Sequence, residues 1–211
     1  MDRNLLELYL VTDRRYVCER SLEDIVMEAV QGGVTIVQLR EKDLPTKDFI
    51  EEAISLKRAL KPYGVPIIIN DRVDVALASE ADGVHIGQSD MPYHLARKLL
   101  GPDKIIGLSV ENMEQVTQAN ALDVDYIGVS PVFRTPTKTD TSEPFGMEGL
   151  RNAVQISRHP IVAIGGINLT NASSITAAGA DGVAVVSAIM GAESPCKASS
   201  EMLKAMETNK K

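Results

Sequence analysis

Eight short apolar runs rich in β-branched residues recur along the chain, each followed by a segment whose apolar residues come at three- and four-residue spacing. The runs span 7–12, 35–39, 65–69, 83–86, 104–110, 126–130, 160–166 and 182–187. Strand-then-helix alternation builds α/β folds, and an open doubly wound sheet usually stops at about five or six strands. Eight such units predict an α/β protein with a closed (β/α)8 TIM barrel, and residues 1–211 read as one domain.

Local signals agree with that pattern. In SLEDIVMEAVQGG, Leu22, Ile25, Val26, Ala29 and Val30 form one stripe, Ser21 is placed to cap it with Asp24 in capping-box position, and Gly32 or Gly33 ends it. The phrases EADGVHIG (80–87) and GADGVAVVS (179–187) read as matching pieces of a repeated unit. The segment from Pro131 to Phe145, rich in Pro, Thr and charge, reads as a long loop expected to close over a ligand. With 4% aromatic residues and no Trp, the core must rest on Val, Ile, Leu and Ala, the residues that fill such barrels.

A formal net charge of −7 argues against nucleic-acid binding, which wants a basic face. No apolar run approaches the roughly 18 residues of a membrane span, and Asp2, Glu7, Asp13 and Glu19 argue against a signal peptide, so a cytoplasmic location is expected. Cys18 and Cys196 lack C-x-x-C spacing and read as structural thiols. His85, His94 and His159 make no zinc motif.

In a parallel barrel the ends of the strands and the loops after them carry function. Collecting the polar residues there gives Gln38, Arg40 and Lys42 after the second strand, Asn70 and Asp71 after the third, and Gln88 and Asp90 after the fourth. Ser109 ends the fifth, Thr135, Thr137 and Lys138 follow the sixth, Gly165 and Gly166 end the seventh, and Ser187 ends the eighth. Asp71 and Asp90 can hold a hard cation such as Mg²⁺, which takes one or two protein carboxylates plus water and phosphate oxygens. Arg40, Lys42 and Lys138 can neutralise phosphate. The Gly165–Gly166 pair, followed by a helix expected over 168–178, resembles a phosphate cradle.

Plainer readings exist for each of these. Asp71 could cap a helix from Arg72, and Asp90 one from Met91 or Pro92. Glu41 and Lys42 could be an exposed loop pair, and the two glycines only a tight turn. His85, inside an apolar strand, reads as a satisfied lumen histidine rather than a catalytic base.

Taken together, QLREK (38–42), IIIND (67–71), DGVHIGQSD (82–90), IGLSV (106–110), GVSPVFRTPTK (128–138), VAIGGIN (162–168) and GADGVAVVSAI (179–189) resemble the thiamine phosphate synthase family over almost the whole chain. That resemblance implies an Mg²⁺-dependent transferase joining hydroxymethylpyrimidine diphosphate to a thiazole phosphate, releasing pyrophosphate. It assigns Gln38, Arg40, Lys42, Asn70 and Lys138 to the pyrimidine diphosphate, with Arg40, Lys42 and Lys138 as the catalytic cations. It further places Ser109 on the pyrimidine ring, Thr135, Thr137, Gly166, Val186 and Ser187 on the thiazole phosphate, and Asp71 and Asp90 on the metal. It also suggests a homodimer. The alternatives are a thiazole tautomerase-like barrel, which would lack the diphosphate half of the site, and a non-catalytic thiamine phosphate binding protein.

Overall fold

The structure, a computed structural model, describes residues 2–17, 19–135 and 143–207. Eight parallel strands close in chain order into a barrel: β1 (Leu8–Val11), β2 (Ile36–Leu39), β3 (Ile67–Asn70), β4 (Gly83–Ile86), β5 (Ile105–Val110), β6 (Tyr126–Val129), β7 (Ile161–Ile164) and β8 (Gly182–Val185). All eight lie where the apolar runs place them. Between them run α1 (Leu22–Gln31), α2 (Thr46–Leu60), α3 (Val73–Ala78), α4 (Tyr93–Leu100), α5 (Met113–Ala119), α6 (Gly146–Ile156) and α7 (Ala172–Ala177), and β8 is followed by α8 (Ser187–Met190) and α9 (Pro195–Glu207).

Ser21 caps α1 by accepting from the Asp24 N–H, and Gly32 ends it. The α1 stripe is buried throughout, packed between barrel and helix in the larger of two cores. The smaller core fills the barrel's lumen up to the cavity with Leu6, Tyr9, Val11, Ile36, Ile68, Tyr126, Val162 and Ala184.

The repeated A-D-G-V phrase has a structural purpose at the barrel's lower rim. Asp82, just before β4, accepts the Ile67 N–H of β3 at 2.9 Å, and Asp181, just before β8, accepts the Ile161 N–H of β7 at 2.8 Å. Asp125, just before β6, does the same for Ile106 of β5 at 2.8 Å, and the Thr35 hydroxyl, before β2, accepts from Leu8 N at 3.0 Å. Each even strand is thus preceded by a side chain that satisfies a backbone donor at the foot of the odd strand before it, a donor that would otherwise lack a ladder partner. Glycine follows Asp82 and Asp181 because a Cβ at Gly83 would lie 2.2 Å from Ile105 O, and one at Gly182 1.7 Å from Leu6 O. In β6 the equivalent residue is Tyr126, and the glycine has moved across the ladder to its partner, Gly107.

Two residues beyond that level, the period of two along each strand turns Val11, Gln38, Asn70, His85, Ser109, Gly128 and Ile164 inward as the floor of a cavity at the upper end.

Candidate active site

The cavity is ≈ 790 Å³ and opens among the strand C-termini and the loops after them. It is lined by Gln38, Arg40, Lys42, Asn70, Asp71, Asp90, Ser109, Thr135, Gly166, Val186 and Ser187. Thr137 and Lys138, together with the middle of the 131–145 loop, lie outside the described residues.

On one wall, β2 to β4 bring charges together. Lys42 Nζ stands 2.7 Å from Asp71 Oδ2, and Asp71 interacts in turn with the Asp90 side chain. Neither aspartate caps a helix: α3 has Arg72 at its N-cap position and α4 has Pro92, neither with a side-chain cap. Asp90 Oδ2 instead accepts the Gly87 N–H at 2.7 Å, closing the turn after β4. Asp71 takes a left-handed φ of 61° and donates its N–H to His85 O at 2.8 Å. A non-glycine residue held there costs on the order of 1 kcal/mol, and such strain tends to collect at functional sites.

Burial alone would raise Asp71, but the hydrogen-bonded Lys42 ammonium holds it below the usual carboxylate range. Burial, and after it the neighbouring Asp71 carboxylate, push Asp90 up against the opposing Gly87 N–H. The pair therefore shares its charge unequally, with Asp71 the firmer anion.

Arg40 is aimed by groups behind it. The Arg40 N–H donates to Thr12 Oγ1 at 2.9 Å, and its guanidinium lies 3.4 Å from buried Asp13, which Arg15 grips with Nε and Nη2. Glu41 is not half of an exposed pair: it is 7% exposed and faces away from the cavity. Arg14 Nε donates to its Oε2 at 3.0 Å, while Arg14 Nη2 lies 2.9 Å from Oε1 without hydrogen-bond alignment and also binds Glu52. Beyond the end of β2 Glu41 is held away from the cavity by Arg14 of the first loop, while its two cationic neighbours line the cavity.

The opposite wall, β6 to β8, is built from backbone. Gly165 and Gly166 have φ of 102° and 66°, beyond comfortable reach of other residues. A Cβ at Gly166 would stand 2.7 Å from Arg134 O and 2.8 Å from Phe133 Cβ, so this glycine serves the protein's own packing as well as any ligand. The expected helix over 168–178 is shorter: Asn168 and Asn171 form a turn, with Asn171 Nδ2 on Gly166 O at 3.0 Å, and α7 starts only at Ala172. The brief α8, absent from the sequence reading, begins at Ser187 beside the cavity.

The described ends of the 131–145 loop are better anchored than its composition suggests. Val132 is fully buried, Val132 N donates to Ile164 O, Phe133 N to Gly165 O and Phe145 N to Pro131 O.

His85 is a satisfied lumen histidine, with Nδ1 2.9 Å from Tyr126 Oη and Nε2 2.8 Å from Ser109 Oγ. Burial pushes it down to about 4, so it is neutral at pH 7. Tyr9 and Tyr126, which also line the cavity, escape a search of strand C-termini because they sit at mid-strand and at a strand's foot. Their only sequence signal is a phenol inside an apolar run.

A closed (β/α)8 barrel with paired carboxylates and cations on one side of its mouth and glycine backbone on the other defines a barrel enzyme for small-molecule substrates. The family model described as thiamine monophosphate synthase matches residues 8–189. The chain is 58% identical to the thiamine-phosphate synthase of Albidiferax ferrireducens, over 92% of this chain and 88% of that one. It is 52% identical to that of Vibrio parahaemolyticus, over 97% and 100%. The solved structure of thiamine phosphate pyrophosphorylase from Pyrococcus furiosus superposes with a TM-score of 0.90 at 41% identity, covering 99% of both chains. A 3-hexulose-6-phosphate synthase, at 17% identity and TM-score 0.70, shares the fold. The chain belongs to the thiamine monophosphate synthase family.

Proposed function

We propose that this chain condenses hydroxymethylpyrimidine diphosphate with a thiazole phosphate to give thiamine phosphate and pyrophosphate. The observation that carries this reading is the two-sided cavity of ≈ 790 Å³, with Arg40, Lys42, Asp71 and Asp90 among the residues on one wall and Gly166, Val186 and Ser187 on the other, which supports one phosphorylated molecule on each side.

Asp71 and Asp90 would hold Mg²⁺. Their carboxylates interact directly, and no third His, Cys, Asp or Glu joins them in a metal cluster among the described residues. That donor set suits a hard cation which completes its shell with water and diphosphate oxygens. When bound, the ion supplies charge neutralisation for the diphosphate leaving group. Arg40 and Lys42 stabilise the same developing charge, with Lys138 as a third cation, and Gln38 and Asn70 orient the pyrimidine diphosphate. Ser109 holds the pyrimidine ring. As the C–O bond to diphosphate breaks, the pyrimidine's amino group shares the positive charge at the exocyclic methylene. The thiazole nitrogen, placed by contacts of Thr135, Thr137, Gly166, Val186 and Ser187 to its phosphate, then forms the new C–N bond. No protein base is needed, which suits a His85 kept neutral and turned toward Tyr126 and Ser109.

The test is pyrophosphate release on mixing the protein, Mg²⁺ and both substrates, with each omitted in turn. Release only in the complete mixture supports the reading; binding of both substrates without release overturns it. We also read residues 1–211 as one cytoplasmic domain that forms a homodimer, the last checked by light scattering.

A further inference from the structure

Five side chains cross the lumen in one unbroken line. Gln38 Nε2 donates to Tyr9 Oη at 2.9 Å, Tyr9 Oη lies 2.7 Å from Tyr126 Oη, Tyr126 Oη 2.9 Å from His85 Nδ1, and His85 Nε2 2.8 Å from Ser109 Oγ. Space for the line is built into the backbone: a Cβ at Gly107 would stand 2.4 Å from Tyr126 Oη and 2.5 Å from His85 Nδ1, and one at Gly128 3.1 Å from His85 Cε1.

With Gln38 Nε2 as the donor to Tyr9, counting protons sets the direction of every other bond. Tyr9 Oη already accepts from Gln38, so its own hydrogen goes to Tyr126. Tyr126 must then donate to His85 Nδ1, and His85, with Nδ1 bare, carries its hydrogen on Nε2 and donates to Ser109 Oγ. An imidazolium would donate to Tyr126 as well as to Ser109 and leave the Tyr9 and Tyr126 hydrogens competing for one site. Both ends of the line face the cavity. The Ser109 hydroxyl hydrogen is left to donate there, and Gln38 Oε1, which has no partner among the described residues, is left to accept.

We infer that Tyr9, Tyr126 and His85 are positioning residues forming a relay of fixed polarity, which makes β2 present an acceptor and β5 a donor and so selects a ring with an amino N–H on one side and a bare ring nitrogen on the other. This rests on the proposed pyrimidine site and deepens it. A 4-oxo pyrimidine, which puts a carbonyl where the amino group was, meets Gln38 Oε1 lone pair to lone pair and is rejected. Without Tyr126 Oη, Tyr9 turns its hydrogen back to Gln38 Oε1, the amide turns over, and the preference is lost.

Two measurements test the relay. Nitrogen-15 NMR of the histidine-labelled wild-type protein, with His85 assigned by comparison with His85→Gln, should show a neutral ring with its hydrogen on Nε2. A hydrogen on Nδ1 overturns the inference, and the tautomer is read in the wild-type lumen, the variant serving only to assign the signal. Calorimetric titration of 4-amino- and 4-oxo-hydroxymethylpyrimidine diphosphate should give a preference of at least about tenfold for the amino form in wild type, falling toward one in Tyr126→Phe. Equal affinities in wild type, with pyrophosphate still released in the complete reaction, overturn the relay and leave the proposed function standing. Failure of wild type to bind either pyrimidine overturns the function and the inference together.

Discussion

The two rims of this barrel are made from the same eight strands yet work by different chemistry. At the lower rim one device repeats: Thr35, Asp82, Asp125 and Asp181 each take a backbone N–H at the foot of the strand before. Among the described residues of the upper rim nothing repeats. Carboxylates and cations gather after β2 to β4, glycines after β7, and a serine begins the short helix after β8. A contact whose partner is the chain's own backbone can recur wherever the backbone recurs, whereas contacts to a ligand must follow that ligand's uneven chemistry. The lower rim should therefore answer to stability and the upper to turnover.

The sharpest way to break this division is Asp71→Ala or Asp90→Ala. Each should lower turnover on the order of a hundredfold or more in protein that still folds, with only a modest fall in melting temperature from the Gly87 N–H left without its acceptor in Asp90→Ala and from an alanine held at a φ of 61° in Asp71→Ala. EDTA should reproduce the loss in wild type, and Mg²⁺ should reverse it. Near-normal turnover in both variants would remove the metal assignment.

Next in size, Arg40→Ala should raise the KM for the pyrimidine diphosphate about tenfold or more and leave that for the thiazole phosphate unchanged, as steady-state kinetics with each substrate varied would show. Its counterpart on the other wall is less clean. Gly166→Ala should weaken thiazole phosphate binding but also destabilise the fold by about 1–3 kcal/mol, because φ is 66° and the new Cβ meets Arg134 O. Calorimetry with both ligands, read beside thermal melts, separates the two effects.

At the lower rim, Asp181→Ala leaves the Ile161 N–H without its acceptor and breaks the pair with Arg3. Denaturant unfolding should show a loss of about 1–3 kcal/mol, with kcat and both KM values preserved in the protein that remains folded. A tenfold fall in kcat here would mean that the rims are coupled.

The last effect concerns pH. His85 titrates near 4 when folded against 6.5 when unfolded, so between those values the unfolded chain binds more protons. Stability should be full above about pH 6.5 and fall by up to about 3 kcal/mol as pH drops toward 4. In His85→Gln this part of the slope should vanish. Parallel pH profiles for the two proteins would show that His85 is not buried as described.

The barrel was legible because periodicity is local. Eight apolar runs with three- and four-residue stripes between them suffice to name strands and helices, and in a parallel barrel the strand C-termini converge by topology, which is why Gln38, Asn70, Asp71, Asp90 and Ser109 could be collected before any geometry was known. The A-D-G-V repeat was visible too, but not its third and fourth members: Asp125 precedes Tyr126 instead of glycine, and Thr35 replaces the carboxylate altogether. What unites those four positions is cross-strand register, a relation between residues distant in the chain.

Tertiary structure alone decided between the paired readings of single residues. Whether Asp71 caps a helix or faces Lys42 depends on a left-handed backbone turn and on a lysine 29 positions away. Whether Glu41 is exposed depends on Arg14 from the preceding loop. The line from Gln38 to Ser109 lay beyond sequence reasoning for the same cause. Tyr9 and Tyr126, 117 residues apart, each pass locally for a core aromatic, and only closure of the barrel brings their hydroxyls together. Periodicity tells which face of an element is buried; a hydrogen bond across a lumen needs the positions of both walls.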